Sequence, residues 1–313
     1  MRVELHMTRI FIDGSAGTTG LRIRERLMAR GDVELIALPE ESRKDEGARR
    51  EALNRADVAF LCLPDAAAEE AVAMIENDHT AVIDTSTAHR TAPGWVYGFP
   101  EVGSLRERIR QSKRIANPGC HASGFIALVA PLVRAGLLDA GAQLTCFSLT
   151  GYSGGGKKMI AEYEGEGRSP LLDAPRQYGL SQQHKHLPEM AAVSGLNAPP
   201  CFCPIVADFY SGMEVSVPLF ASQLRGTPAQ IREIYRETYA GPVVRFAEGN
   251  GENGFLSAAA LSGSDGMEIS VSGNAERILL TARYDNLGKG ASGAAIQNLN
   301  LLLGADETAG LVL

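Results

Sequence analysis

The chain has 313 residues, 45% hydrophobic and 21% charged, which suits two ordinary domains or one large one and excludes a disordered or fibrous protein. Its 30 Lys and Arg against 37 Asp and Glu leave a formal net charge of −7, so it lacks the basic excess of a general nucleic-acid binder. No apolar run reaches the ~20 residues that span a bilayer; the best, residues 125–133, is broken by Pro131. The start MRVELHMTRI has no long apolar core of a secretory leader, and the five cysteines are an odd number. Free thiols in a reducing, cytoplasmic compartment are therefore expected, with no membrane or nucleic-acid partner.

In chain order, Arg-Ile-Phe-Ile-Asp-Gly at 9–14 predicts a short apolar strand, followed by an amphipathic helix over 21–30. Further apolar strands are predicted at 33–38, 58–63 and 81–84, each followed by helical or turn-rich sequence. Strand starts at 10, 33, 58 and 81 repeat at intervals of 23, 25 and 23 residues. Continuous apolar strands alternating with helices are the pattern of a parallel sheet covered on both faces, and right-handed crossovers make it doubly wound. The expected fold class is thus α/β at this end of the chain.

The first strand-to-helix turn reads Gly14-Ser15-Ala16-Gly17-Thr18-Thr19-Gly20. Free amides at a helix start and glycines that admit a pyrophosphate to the backbone mark this turn as a dinucleotide site, although the spacing is G-x-x-G-x-x-G rather than G-x-G-x-x-G. After strand two, Ser42 and Arg43 suit a ribose 2′-phosphate, whereas Glu40 or Glu41 suits a ribose hydroxyl; the adjacent cations Arg43 and Lys44 favour NADP. A solvated charge cluster opening a helix is the competing reading.

Asn117-Pro118-Gly119 forms a turn that delivers Cys120 to the first turn of a buried helix. A thiol titrates near ~8.5, and a helix N-terminus is expected to lower that, while its exposed amides stabilise an oxyanion. Cys62 and Cys146, inside apolar strands, read as structural, and Cys201 and Cys203 as buried small hydrophobes rather than metal ligands. In Gln182-Gln-His184-Lys-His186-Leu-Pro188-Glu189 the alternation places His184 and His186 on one side of an extended segment, with Glu189 available to orient His186. That is an acid–base arrangement a thiol nucleophile needs. His6, His79, His89 and His121 have no comparable setting, although His121 abuts Cys120.

From residue 143 the pattern changes to longer alternating strands at 202–210, 213–219 and 278–284, the signature of a mixed or antiparallel sheet. Thr227 and Pro228 open an amphipathic helix with Ile231, Ile234 and Tyr235, and residues 249–266 form a glycine- and serine-rich loop.

Taken together, the glycine loop at 14–20, Asp-Thr-Ser-Thr-Ala-His-Arg at 84–90, Tyr-Gly-Phe-Pro-Glu at 97–101, Asn-Pro-Gly-Cys-His-Ala-Ser at 117–123, Gly-Tyr-Ser-Gly-Gly-Gly-Lys at 151–157, His-Lys-His-Leu-Pro-Glu at 184–189 and the segment 285–298 resemble the short form of the N-acetyl-gamma-glutamyl-phosphate reductase family over nearly the whole chain. The resemblance implies reversible, NADPH-dependent reduction of N-acetyl-glutamyl 5-phosphate to the 5-semialdehyde with release of phosphate, in arginine biosynthesis. It implies Cys120 as nucleophile and His186 as acid–base group, with Glu189 beside it. Residue chemistry and position assign NADP to Gly14, Ser15, Ala16, Gly17, Thr18, Thr19, Gly20, Ser42, Arg43 and Asn286, and substrate or phosphate to Arg90, Asn117, Lys157 and His184, with Lys289 a further candidate cation. The implied organisation is an NADP-binding domain at 1–119, an α+β catalytic and oligomerisation domain at 120–289, and a C-terminal helix at 290–313 returning to the first domain, in a homodimer or homotetramer. Aspartate-semialdehyde dehydrogenase, a carrier-linked glutamyl-phosphate reductase and a non-catalytic NADP-binding sensor are the alternatives.

Overall fold

The computed structural model describes residues 7–249 and 251–313; residues 1–6, His6 among them, and Asn250 within the 249–266 loop lie outside the described residues. The first half alternates β1 (Thr8–Asp13), α1 (Thr18–Met28), β2 (Val33–Ile36), α2 (Glu46–Arg55), β3 (Val58–Leu61), α3 (Asp65–Ala73), β4 (Ala81–Asp84), β5 (Val96–Tyr97), α4 (Leu105–Gln111) and β6 (Arg114–Ala116). Its strands form one sheet in the order β2-β1-β3-β4-β6-β5, and every pairing is parallel. Ile10, Phe60 and Ile83 enter one buried cluster and Phe11, Ala59 and Val82 another, so both faces are covered. That double burial is why these strands read as unbroken apolar runs. Winding reverses at β1, which opens a crevice beyond the carboxyl ends of β1 and β3.

Next comes α5 (Cys120–Arg134), in which residues 121–132 are all buried. It is apolar on every side because it packs against both the second sheet and other helices. The second half contains β7 (Thr145–Gly151), α6 (Gly156–Glu164), β8 (Arg176–Gln177), α7 (Leu187–Ser194), β9 (Cys201–Ala207), β10 (Met213–Phe220), α8 (Pro228–Thr238), β11 (Val244–Phe246), β12 (Met267–Gly273), β13 (Arg277–Tyr284) and α9 (Gly293–Leu303). Its seven strands make a mixed sheet, β11-β12-β13-β10-β7-β9-β8, with β10 antiparallel to β7 and β13 and β7 parallel to β9. Val215, Val217, Ile269 and Leu280 are buried in the core, while Phe147 and Phe220 are exposed. Thr227 caps α8 reciprocally with Gln230, Pro228 occupies the first turn, and Ile231 and Tyr235 are buried, as expected.

Several expectations shift. The strand expected at 202–210 stops at Ala207, because the chain turns so that the Phe209 and Tyr210 carbonyls accept from Tyr152 N at 2.9 Å and Ser153 N at 3.0 Å. Cys62 lies just beyond β3 and is half-buried rather than within a strand. Cys201 is exposed and Cys203 half-buried, not core residues: they alternate with buried Phe202 and Pro204, and so point outward. The closing helix starts as a π turn, Gly288–Ser292, before α9. α9 packs on α4, α1 and β4, and Asn298 Nδ2 donates to Gly98 O at 2.9 Å and Asn117 Oδ1 at 3.1 Å. Among the described residues no helix is long and apolar enough to cross a membrane.

Candidate active site

The glycine loop divides two cavities. Gly14 has φ +84°, and a Cβ there would lie 2.2 Å from Cys62 O; a Cβ on Gly20 would lie 2.5 Å from Gly14 O. Both glycines are therefore needed for the turn and for packing α1 against it. At Gly17 a Cβ would meet nothing nearer than Gly14 O at 3.5 Å. Gly17 precedes α1, whose first turn has no side-chain cap, leaving amides open to an anion. Ser15 lines a cavity of about 120 Å³ together with Arg24, Leu35, Leu38 and Arg43. Thr18 and Thr19 line a larger cavity of about 430 Å³. Ala16 is exposed between them. A dinucleotide laid across the loop would thus reach both cavities, and the residues fit such a group.

Arg24 was not anticipated; it projects from α1 into the smaller cavity, which helical spacing alone did not reveal. Asp13, at the end of β1, is held by Arg49 at 2.9 Å. Ser42, with Glu40 and Glu41, sits on a short 3₁₀ turn outside that cavity's lining.

The larger cavity collects Arg90, Asn117, Cys120, His184, His186 and Asn286 from four separate segments. Cys120 begins α5 after Gly119, as expected. The expected lowering of its pKa is corrected: burial pushes the thiol above its ordinary value, and the opposing pulls of the Arg90 charge and the His121 amide do not overcome it. Asn286 donates to Ser153 Oγ at 3.0 Å and accepts from Gly212 N at 2.9 Å, which fixes the loop after β13 against the cavity wall.

His184 and His186 do share a side, but through a turn rather than an extended segment. His186 N donates to His184 Nδ1 at 3.2 Å, and the two rings lie edge to face at 4.7 Å. His186 is the residue before α7. Burial pushes His186 well below the usual imidazole range, with the Arg90 charge adding to it. His184 is lowered to about 4 by burial and by Lys185. Both are neutral bases at pH 7.

Glu189 does not orient His186. Its Oε1 accepts from Arg90 Nη1 at 2.6 Å, and its Oε2 accepts from Tyr97 OH at 2.6 Å and Gly119 N at 3.1 Å. His186 Nδ1 is buried without a hydrogen-bond partner. The guanidinium, a permanent cation, outcompetes a neutral ring for the carboxylate. All three side chains converge on Gly119, where a Cβ would lie 2.5 Å from Arg90 Nη1 and Glu189 Oε1 and 2.6 Å from His186 Nε2.

Two further histidines acquire settings the sequence did not disclose. His121 Nδ1 meets Ser148 Oγ at 2.7 Å and Nε2 meets Tyr178 OH at 2.6 Å, and the ring is lowered to about 3 by burial. His89 Nδ1 meets the buried Asp84 Oδ2 at 2.6 Å and stacks on Trp95. Lys289 is fully buried and bound to Glu101 at 2.8 and 3.0 Å, so it cannot serve a substrate. Lys157 lies on the exposed first turn of α6, outside the cavity lining, whereas Lys185 lines it.

The semialdehyde dehydrogenase dimerisation domain family matches residues 120–286, and the semialdehyde dehydrogenase NAD binding domain family matches residues 39–112. N-acetyl-gamma-glutamyl-phosphate reductase 2 of Pseudomonas putida is 46% identical over 319 aligned positions, covering 98% of this chain and 100% of its own. The chain belongs to the N-acetyl-gamma-glutamyl-phosphate reductase family. The member of that reductase family from Brucella ovis is 47% identical, covering 95% of this chain and 99% of its own. Among solved structures, aspartate semialdehyde dehydrogenase II from Vibrio cholerae, complexed with ASA, superposes with a TM-score of 0.73 at 17% identity, covering 96% and 99% of the two chains. Aspartate semialdehyde dehydrogenase with NADP from Candida albicans gives 0.65 at 16% identity, with 96% and 99% covered. This reductase family and those dehydrogenases therefore share a fold.

Proposed function

We propose that the chain is an NADPH-dependent N-acetyl-gamma-glutamyl-phosphate reductase that converts N-acetyl-L-glutamyl 5-phosphate to N-acetyl-L-glutamate 5-semialdehyde and phosphate, in arginine biosynthesis. The observation that carries this is a single cavity holding Cys120, His186 and the Thr18–Thr19 end of the glycine loop, in a chain with full-length reductase relatives.

The nicotinamide dinucleotide, when bound, supplies the hydride. Residues 14–20 and Asn286 would hold it. Arg24 and Arg43 in the smaller cavity favour the 2′-phosphate of NADP, since Asp13 is taken by Arg49 and cannot grip a ribose hydroxyl freely. Neutral His186 accepts the Cys120 proton as sulfur bonds to the acyl carbon and the carbon–oxygen bond to phosphate breaks; the proton then leaves with phosphate. A solvent proton, passed through His186, stabilises the thiohemiacetal oxygen and ends on sulfur as the carbon–sulfur bond breaks. Glu189 positions Arg90 and the Gly119 amide. Asn117 and His184 border the substrate.

The domain division at 119/120 and 289/290 belongs to the same reading, supported by the separate sheets and the π turn at 288–292. So does assembly as a cytoplasmic homodimer or homotetramer acting on small molecules, supported by the dimerisation-domain match.

The test is the reverse reaction. N-acetyl-glutamate semialdehyde or aspartate semialdehyde is supplied with phosphate and NADP or NAD, and reduced-nicotinamide absorbance is followed. Turnover of the N-acetyl-glutamyl substrate is expected; turnover of the aspartyl substrate alone overturns the reading. Arg43→Ala should weaken NADP binding by about 1.5–3 kcal/mol with little effect on NAD.

A further inference from the structure

An acyl phosphate brings a phosphate dianion to the carbon that Cys120 attacks, so the cavity needs a cation whose charge is not already cancelled. Arg90 does not meet that need. Its charge faces Glu189 at 2.6 Å, its Nε donates to Asn117 O and its Nη2 to Thr85 O, both at 3.0 Å, and its side chain is 8% exposed. The guanidinium is built into the wall. Lys289 is committed to Glu101 and to Gln297 at 2.5 Å. Arg24 and Arg43 open on the other side of the glycine loop.

Lys185 is different. It lines the cavity with Cys120, lies exposed at its mouth, and has no carboxylate within ion-pair distance among the described residues; the Asp65 carboxylate, which accepts from Thr87 N, feels its charge only from farther off. Its backbone is pinned, because the residues on either side close a turn in which Leu187 N donates to His184 O at 3.0 Å. Both neighbouring imidazoles line the same cavity. The field of its ammonium reaches the Cys120 thiol, which it lowers, and the rings of His121, His184 and His186.

We propose that Lys185 is the phosphate-binding cation of the site, engaging the acyl phosphate in the forward direction and inorganic phosphate in reverse. An ammonium is a compact charge with three rotatable donors, suited to follow a phosphate as its bond to carbon lengthens. The assignment rests on the proposed reaction, and the experiment separates the two.

Wild type, Lys185→Met, Lys185→Arg and the surface control Lys158→Met are assayed in the reverse direction with N-acetyl-glutamate semialdehyde, NADP and varied inorganic phosphate. Loss of one charge-assisted contact predicts a phosphate KM raised about 10–100-fold in Lys185→Met. The aldehyde KM and NADP affinity should stay within about twofold; Lys185→Arg should recover most of the loss and Lys158→Met should match wild type. A rise in aldehyde KM instead assigns Lys185 to the substrate carboxylate and overturns the proposal, as does an unchanged phosphate KM. A second arm needs no turnover: inorganic phosphate should slow iodoacetamide alkylation of Cys120, with its midpoint displaced at least tenfold in Lys185→Met. A wild type that turns over no aldehyde rejects the reaction. Lys185 then stands on the alkylation arm alone, where equal protection of both proteins, or of neither, rejects the phosphate site.

Discussion

Burial drives the Cys120 thiol up and the His186 imidazole down, so both groups are uncharged at neutral pH. In the proposed mechanism, reaction then begins with a proton moving from sulfur to nitrogen, and the pair needs its base. His186→Asn should slow turnover by about 10²–10⁴-fold while changing substrate KM little, as steady-state kinetics would show. The alkylation rate of Cys120 should climb with pH through the ordinary thiol range and beyond it, in keeping with a raised thiol pKa. Three lowered histidines also make an acid sensitivity. His121 falls to about 3, His184 to about 4, and His186 lies well below its ordinary 6.5. Between those values and 6.5 the unfolded chain binds more protons than the folded one, so stability is complete above pH 6.5 and is lost as pH falls toward 4 and 3. Thermal unfolding from pH 7.5 to 4 should show a falling Tm, with a shallower fall in His184→Asn.

At the scale of elements, two helix starts do the positioning, and each depends on a glycine for a separate reason. Gly14 needs its positive φ and its clearance from Cys62 O. Gly119 has an ordinary φ of −74°, so only crowding restricts it. Gly119→Ala should displace Arg90, Glu189 and His186 together, lowering stability by about 1–3 kcal/mol in denaturant titration and reducing turnover more than cofactor affinity. The α1 and α5 starts were legible because apolar helices follow glycine-rich turns. The His184–His186 turn was not legible, since alternation over a few residues suits a strand and a pre-helical turn equally. Glu189 shows why the rest was hidden. Its spacing from His186 is local, but Arg90 lies 99 residues away and Tyr97 lies 92 away, and no sequence period reports such contacts.

Across the whole molecule, α1 is tied to the second half by Arg26, whose two terminal nitrogens reach the Asp265 carboxylate at 2.6 and 2.8 Å. Asp265 is fully buried, and a Cβ on Gly293 would lie 2.2 Å from its Oδ1, so this pair also seats the start of α9. Arg26→Met leaves that carboxylate with the Val312 amide at 2.9 Å and should cost about 3–5 kcal/mol, read as a lowered denaturant midpoint. A loss below about 1 kcal/mol would show that this pair contributes little to holding the halves together. The sequence by itself determined the α/β class, the parallel sheet, the glycine-rich turn that opens α1 and Cys120 at a helix start, because each depends on period, turn chemistry or a residue's immediate neighbours. Only the tertiary structure decided which carboxylate meets which cation, how burial moves the thiol and the imidazoles, and which lysine remains free in the cavity. Those outcomes follow from groups brought together across the chain in a low-dielectric interior, where proximity and desolvation outweigh local propensity.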